Sequence, residues 1–278
     1  MKQRPCQFGP EHNLMGILTE PEDKELRPDA PAMLMLNAGL LHRVGPQRMA
    51  VDLAQRLAGN GVRSLRFDMG GYGDSEVAAG AQSDESRTFA DIKSAMDFLE
   101  LECDVHRFVL FGSCSGADNS FAVALRDPRV AGAVLLDGHG YWTWKSYANY
   151  YFARIFRPKT WVNFIRRRLT PVDLLVLGRG EHESQMRRPF GDRLVVRSEI
   201  QTLVDRGAEL LYCYTGGVSQ YYNYAGQFYD MFRGLLPKGK IEVEYYPNAD
   251  HTYTFAEDRE RMFAAVIEWY RTRPWNSR

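Results

Sequence analysis

The sequence predicts an α/β fold: a mostly parallel central sheet flanked by helices, with a helical lid inserted over one end. Three observations point that way. Short apolar runs of strand length recur along the chain, and helical periodicity fills the gaps between them. One stretch, residues 141–193, breaks the alternation. A parallel sheet covered by helices has this signature, because each crossover between neighbouring strands needs a helix.

In chain order, Leu14–Thr19 and Ala32–Asn37 are the first two strand-like runs, and Gln47–Leu57 is the first helix-like segment. The run Arg63–Phe67 follows, then helical periodicity over Arg87–Leu101, then the run Arg107–Gly112. A helix is predicted over Ala117–Leu125 and is closed by Pro128, whose missing N–H and ring clash stop it. The run Ala131–Asp137 precedes the break. Beyond it come a helix over Leu194–Val204, a run Glu209–Tyr214, a helix over Tyr222–Leu235 and a run Ile241–Tyr246. The last helix, Glu257–Tyr270, carries Met262, Val266, Trp269 and Tyr270 at three- and four-residue spacing, an apolar face able to dock on a sheet. There is no internal repeat. The expected organisation is a core of residues 1–140 and 194–278 with a lid of residues 141–193.

Composition narrows the function. Lys+Arg and Asp+Glu balance at 35 each in 278 residues, so no net field draws the chain to nucleic acid. The N-terminal residues lack the apolar core of a signal peptide, and no apolar run is long enough for a transmembrane helix. Cys6, Cys103, Cys114 and Cys213 are scattered, with neither CxxC spacing nor disulfide density. A reduced, cytoplasmic setting is expected. The six histidines form no HxxxH or HExxH pattern, so no metal and no organic cofactor is expected.

The chemistry concentrates at Arg107–Gly116, RFVLFGSCSG. A buried run ends at Gly112, and Gly112-Ser113-Cys114-Ser115-Gly116 has the G-x-nucleophile-x-G spacing ahead of a helix. A nucleophile there sits on a sharp strand-to-helix turn, and flanking glycines avoid clashes. The next backbone N–H, that of Ser115, points at a developing oxyanion, and the helix start favours a thiolate. Most free cysteines are small buried residues. The strand–turn–helix setting favours the nucleophile instead.

Several segments, in order, resemble the α/β-hydrolase superfamily: LMGILTEPED, MLMLNAGL, LRFDMGGYGDSE, FGSCSGA and YYPNADHTYTF. The likeness spans about 220 residues, with 141–193 at the usual place of the lid. It implies His251 as general base for Cys114, in a cysteine-nucleophile variant such as dienelactone hydrolases and some thioesterases show. His139 is a weaker candidate; His12, His42, His106 and His182 are expected to be surface or structural groups. The family usually places its acid after the seventh strand, but that loop reads YTGGVSQYYNY and holds no carboxylate. Asp137, at the end of the sixth strand, is the best substitute, and a Cys–His dyad is the alternative. The resemblance implies an oxyanion hole from the N–H of Ser115 and that of Leu40 or Gly39.

Residues 141–168 contain seven Lys/Arg and no Asp or Glu. They read either as a lid packing an aromatic stripe on the core, or as a basic surface for an anionic acyl donor. Trp142, Trp144, Tyr147 and Tyr151 are the expected substrate-facing residues. A coenzyme A thioester or an acyl carrier protein would suit the basic lid; nucleic acid has no accompanying motif. The leading expectation is an ester or thioester hydrolase with an acyl-cysteine intermediate. Its rivals are an acyltransferase passing the acyl group to a small amine or alcohol, and a non-catalytic small-molecule-binding protein on the same fold.

Overall fold

The computed structural model describes residues 1–22, 26–78, 83–155 and 190–276. Its centre is an eight-stranded sheet: β1 (Lys2–Phe8), β2 (Leu14–Glu20), β3 (Ala32–Met35), β4 (Ser64–Phe67), β5 (Phe108–Ser113), β6 (Val130–Leu136), β7 (Glu209–Thr215) and β8 (Ile241–Tyr246). The strand order is β1-β2-β4-β3-β5-β6-β7-β8. β1 and β2 run antiparallel to their neighbours, and every pairing from β4 to β8 is parallel. This is the α/β-hydrolase arrangement.

Strand periodicity divides the core between two faces. In β5, Phe108 and Leu110 pack on one side while Val109 and Phe111 pack on the other. β6 and β7 alternate likewise, with Leu135 and Tyr212 opposed to Leu136 and Cys213. One face is covered by α2 (Asp84–Cys103), α3 (Ser115–Arg126) and α5 (Arg193–Asp205), through residues such as Met96, Phe121 and Ile200. The other is covered by α1 (Met49–Ala58) and α7 (Ala256–Thr272), through Leu53, Leu57, Met262, Val266 and Trp269. Strands buried on both faces explain why these runs are continuously apolar.

α4 (Trp144–Ile155) lies in the expected lid segment and starts with a reciprocal cap: the Ser146 N–H donates to Thr143 Oγ1 at 3.1 Å, and the Thr143 N–H donates to Ser146 Oγ at 2.7 Å. Residues 156–189, the rest of that segment including His182 and the arginines at 166–168, lie outside the described residues. No helix among the described residues is long and apolar enough to cross a membrane.

Two elements differ from the sequence reading. The first strand, β1, was not read from the sequence; it is an edge strand, KQRPCQF, that buries only Cys6 and Phe8, too few apolar residues for a period to show. The helix predicted over Tyr222–Leu235 shrinks to α6 (Gln227–Met231). There the Gln227 side chain bonds the Asn223 N–H and the Tyr221 carbonyl, at 2.8 and 2.6 Å, satisfying backbone that a helix would otherwise pair. Tyr222 stacks on Tyr214 with centroids 3.6 Å apart, a tertiary contact that overrides the helical pattern.

Candidate active site

The central feature is the turn from β5 into α3. Cys114 has φ 57° and ψ −125°, a backbone conformation that L-residues hold only under constraint. Its N–H is tied to the Leu136 carbonyl at 3.1 Å. Glycine on either side is a steric requirement. A Cβ at Gly112 would stand 2.0 Å from the Gly116 carbonyl oxygen, and one at Gly116 would stand 2.6 Å from that of Asn37. The cysteine is half-buried rather than sealed in the core.

His251 follows β8 and reaches this turn. Its Nδ1–H donates to Asp137 Oδ2 at 2.6 Å, and its ring also hydrogen-bonds Cys114. Asp137 lies at the end of β6 with φ 50° and is fully buried. Its charge is met by three donors: His251, the Thr215 N–H at 2.7 Å and the Thr215 hydroxyl at 2.8 Å. The carboxylate of Asp137, and after it the bond to Cys114, push the His251 imidazole up to about 10 against the desolvation that would lower it. The ring therefore carries a proton beside the thiol, and an adjacent cation favours the thiolate.

The loop after β7 holds no carboxylate, and the structure gives it a different task. A Cβ at Gly216 would stand 1.9 Å from the Pro247 carbonyl oxygen, and one at Gly217 would stand 2.4 Å from the His251 N–H nitrogen. The two glycines let the histidine loop lie against β7, where the Gly217 N–H donates to the Ala249 carbonyl at 3.0 Å. Thr215 and these glycines were missed in the sequence; the signal was a threonine and two glycines where an acid is customary.

Across the turn lies the loop after β3. Gly39, at φ 57°, donates its N–H to Ser115 Oγ at 2.9 Å, while the Leu40 side chain is 86% exposed. Both ends of this loop are pinned. Asn37 donates to the Leu41 carbonyl at 2.8 Å and to Asp68 Oδ1 at 3.0 Å, and its own oxygen accepts from the Met69 N–H at 2.9 Å. The Arg43 N–H donates to Asp68 Oδ1 at 2.6 Å, and the Arg43 guanidinium pairs with Asp68 and, at 2.7 Å, with Asp74. His42, Asp68 and Asp74 have the donor types of a metal site. Arg43 already supplies the cation there, touching all three. The sequence reading gave Asn37 and Asp68 no role; the available signal was the segment LRFDMGGYGDSE, in which Asp68 is the first acid.

The remaining candidates sit in or beside the expected lid segment. Trp142 stacks on Tyr147 with centroids 4.4 Å apart, and Tyr147 lies parallel to Tyr151 at 6.3 Å. Trp142 and Trp144 also line a cavity of about 400 Å³ with Arg193, Leu194, Arg197, Met231 and Arg233. None of Cys114, His251 and Asp137 lines it. His139 is buried between Phe121 and Phe190, at ring distances of 4.7 and 5.7 Å. His42 and His106 contact the surface carboxylates Asp74 and Glu100, at 3.3 and 3.0 Å.

The family described as serine aminopeptidase, S33, matches residues 39–187, just over half of the chain. The chain belongs to that family. It is an α/β hydrolase, with cysteine at the elbow of a family named for serine. An esterase from Pyrococcus furiosus superposes with a TM-score of 0.59 at 16% identity, covering 96% of this chain and 89% of that one. Proline iminopeptidase of Mycobacterium smegmatis gives 0.58 at 17% identity, over 97% of both chains. A Xanthomonas campestris α/β serine hydrolase without a lid gives 0.56 at 12% identity, over 98% and 94%. At these identities the solved structures share the fold. A search of curated proteins gave no match.

Proposed function

We propose that this α/β hydrolase cleaves an ester or thioester through an acyl-cysteine at Cys114, with His251 as general acid–base and Asp137 as its orienter. The observation carrying the proposal is His251 hydrogen-bonded at once to Asp137 and to a cysteine held at φ 57° on the elbow. Cys114 Sγ attacks the acyl carbon, a C–S bond forms, and the carbonyl electron pair moves to oxygen, facing the Ser115 N–H. Collapse breaks the bond to the leaving group, which takes the His251 proton. Water then attacks the thioester, giving its proton to His251, and the acid product departs as the thiolate is restored. A small amine in place of water would make the same enzyme an acyltransferase.

An anionic leaving group is favoured. The cavity lined by Trp142 and Trp144 carries Arg193, Arg197 and Arg233 against a single carboxylate, Asp230. That surface suits a phosphate- or carboxylate-bearing acyl donor such as a coenzyme A thioester or an acidic carrier protein.

Turnover of p-nitrophenyl acetate and acetyl-coenzyme A by wild type and Cys114→Ala tests the assignment. Loss of about 10³-fold or more in kcat for the variant is expected. Equal turnover would remove Cys114 from the chemistry.

A further inference from the structure

The hole at the elbow departs from one built of two backbone donors. The Gly39 N–H, one of the two amides expected to face the oxyanion, is already spent on Ser115 Oγ at 2.9 Å. We propose that the Ser115 hydroxyl is itself an oxyanion donor, relaying the Gly39 N–H to the oxygen of the tetrahedral intermediate. This deepens the acyl-cysteine reading above and rests on it.

A hydroxyl offers one proton and two lone pairs. Here one lone pair takes the Gly39 N–H, and the proton has no acceptor among the described residues. A hydroxyl that accepts a hydrogen bond becomes a stronger donor. Ser115 is the first residue of α3, so its backbone N–H has no carbonyl one turn back to satisfy it. One residue, next in sequence to the sulfur, thus carries two donors, and the second is tethered to the far wall of the hole. The far wall is fixed in turn by Asn37, Asp68 and Arg43, so Gly39 is held where it meets the serine.

When C–S bond formation displaces the carbonyl π pair onto oxygen, the Ser115 N–H and Oγ–H are the two donors this arrangement offers to it, and no proton is transferred by either. Removing the hydroxyl takes away the donor that Gly39 tethers and leaves the Ser115 N–H. The loss belongs in the rate of the acylation step, not in ground-state binding.

The test is the pre-steady-state release of p-nitrophenol from p-nitrophenyl acetate by wild type, Ser115→Ala and Ser115→Thr. Ser115→Ala is expected to acylate about 10- to 100-fold more slowly with little change in KM, and Ser115→Thr, which keeps a hydroxyl, to recover most of the rate. Iodoacetamide, which alkylates sulfur without forming an oxyanion, is the control: its rate at Cys114 should change less than twofold in Ser115→Ala. Equal or faster acylation by Ser115→Ala overturns the hydroxyl's role and leaves the acyl-cysteine standing. A parallel loss in alkylation overturns it too, since the serine would then only hold the turn in shape. A wild type that releases p-nitrophenol without acylating Cys114 overturns both readings.

Discussion

Asp137 and His251 are 114 positions apart in sequence, yet the carboxylate Oδ2 and the imidazole Nδ1 are 2.6 Å apart. Thr215, the last residue of β7, fixes the carboxylate from its other side through both its N–H and its hydroxyl. The carboxylate bonded to His251 thus comes from β6 while β7 supplies its anchor.

Asp137→Asn tests that division. The amide keeps the shape but presents no charge, and one of its two ends can no longer accept. A fall in kcat/KM of about 10- to 1000-fold is expected for ester hydrolysis, smaller than for serine enzymes because a thiol gives up its proton more readily. Steady-state kinetics on p-nitrophenyl acetate measures it, and a loss under twofold would favour a Cys–His dyad.

The proton on His251 has a pH signature. Its value is raised from 6.5 to about 10 by Asp137 and Cys114, so the imidazolium persists beside the thiol across neutral pH and is lost only as pH climbs through 10. Iodoacetamide should therefore alkylate Cys114 faster in wild type than in His251→Ala between about pH 5 and 8, with the two rates converging above pH 10. By the same linkage, the pair's contribution to folding stability is complete below about pH 6.5 and fades as pH rises toward 10. The stability advantage of wild type over His251→Gln in urea unfolding should narrow over that window.

Much of this was open to sequence reading and some was not. The elbow was legible because Gly112, Cys114 and Gly116 act within five residues, where local sterics dictate type. Seven strands were legible, most plainly β3, β5, β6 and β7, where burial on both faces makes the runs almost continuously apolar. Asp137 could be named only as a substitute, since its worth depends on Thr215 and on Gly216 and Gly217 admitting the histidine loop. Such contacts join three strand ends, and no window along the chain contains them. β1 and the truncated helix at Gln227–Met231 were hidden for the opposite reasons, too little apolar pattern in one and a misleading one in the other.

Arg43 is expected to act on the loop after β3 rather than on substrate. Arg43→Met leaves Asp68, fully buried, without its guanidinium while the Asn37 and backbone donors remain. A destabilisation of about 2–4 kcal/mol in urea unfolding is expected. The accompanying drop should appear in kcat more than in KM for p-nitrophenyl acetate; unchanged kinetics in the folded variant would detach the cluster from the site.

The arginines of the cavity beside Trp142 and Trp144 should discriminate substrates. The double variant Arg193→Glu/Arg197→Glu reverses two of its three positive charges. KM for acetyl-coenzyme A should rise about tenfold or more, and less at high ionic strength, while p-nitrophenyl acetate is spared. Equal effects on both esters would count against an anionic donor.

Intact-protein mass spectrometry after brief incubation with a series of acyl thioesters, followed by peptide mapping, addresses the sulfur most directly. A single added acyl mass on the peptide containing Cys114, absent in Cys114→Ala and slow to appear in His251→Ala, is the expected result. Turnover with no adduct at any quench time, or an adduct on a different residue, would contradict nucleophilic attack by Cys114.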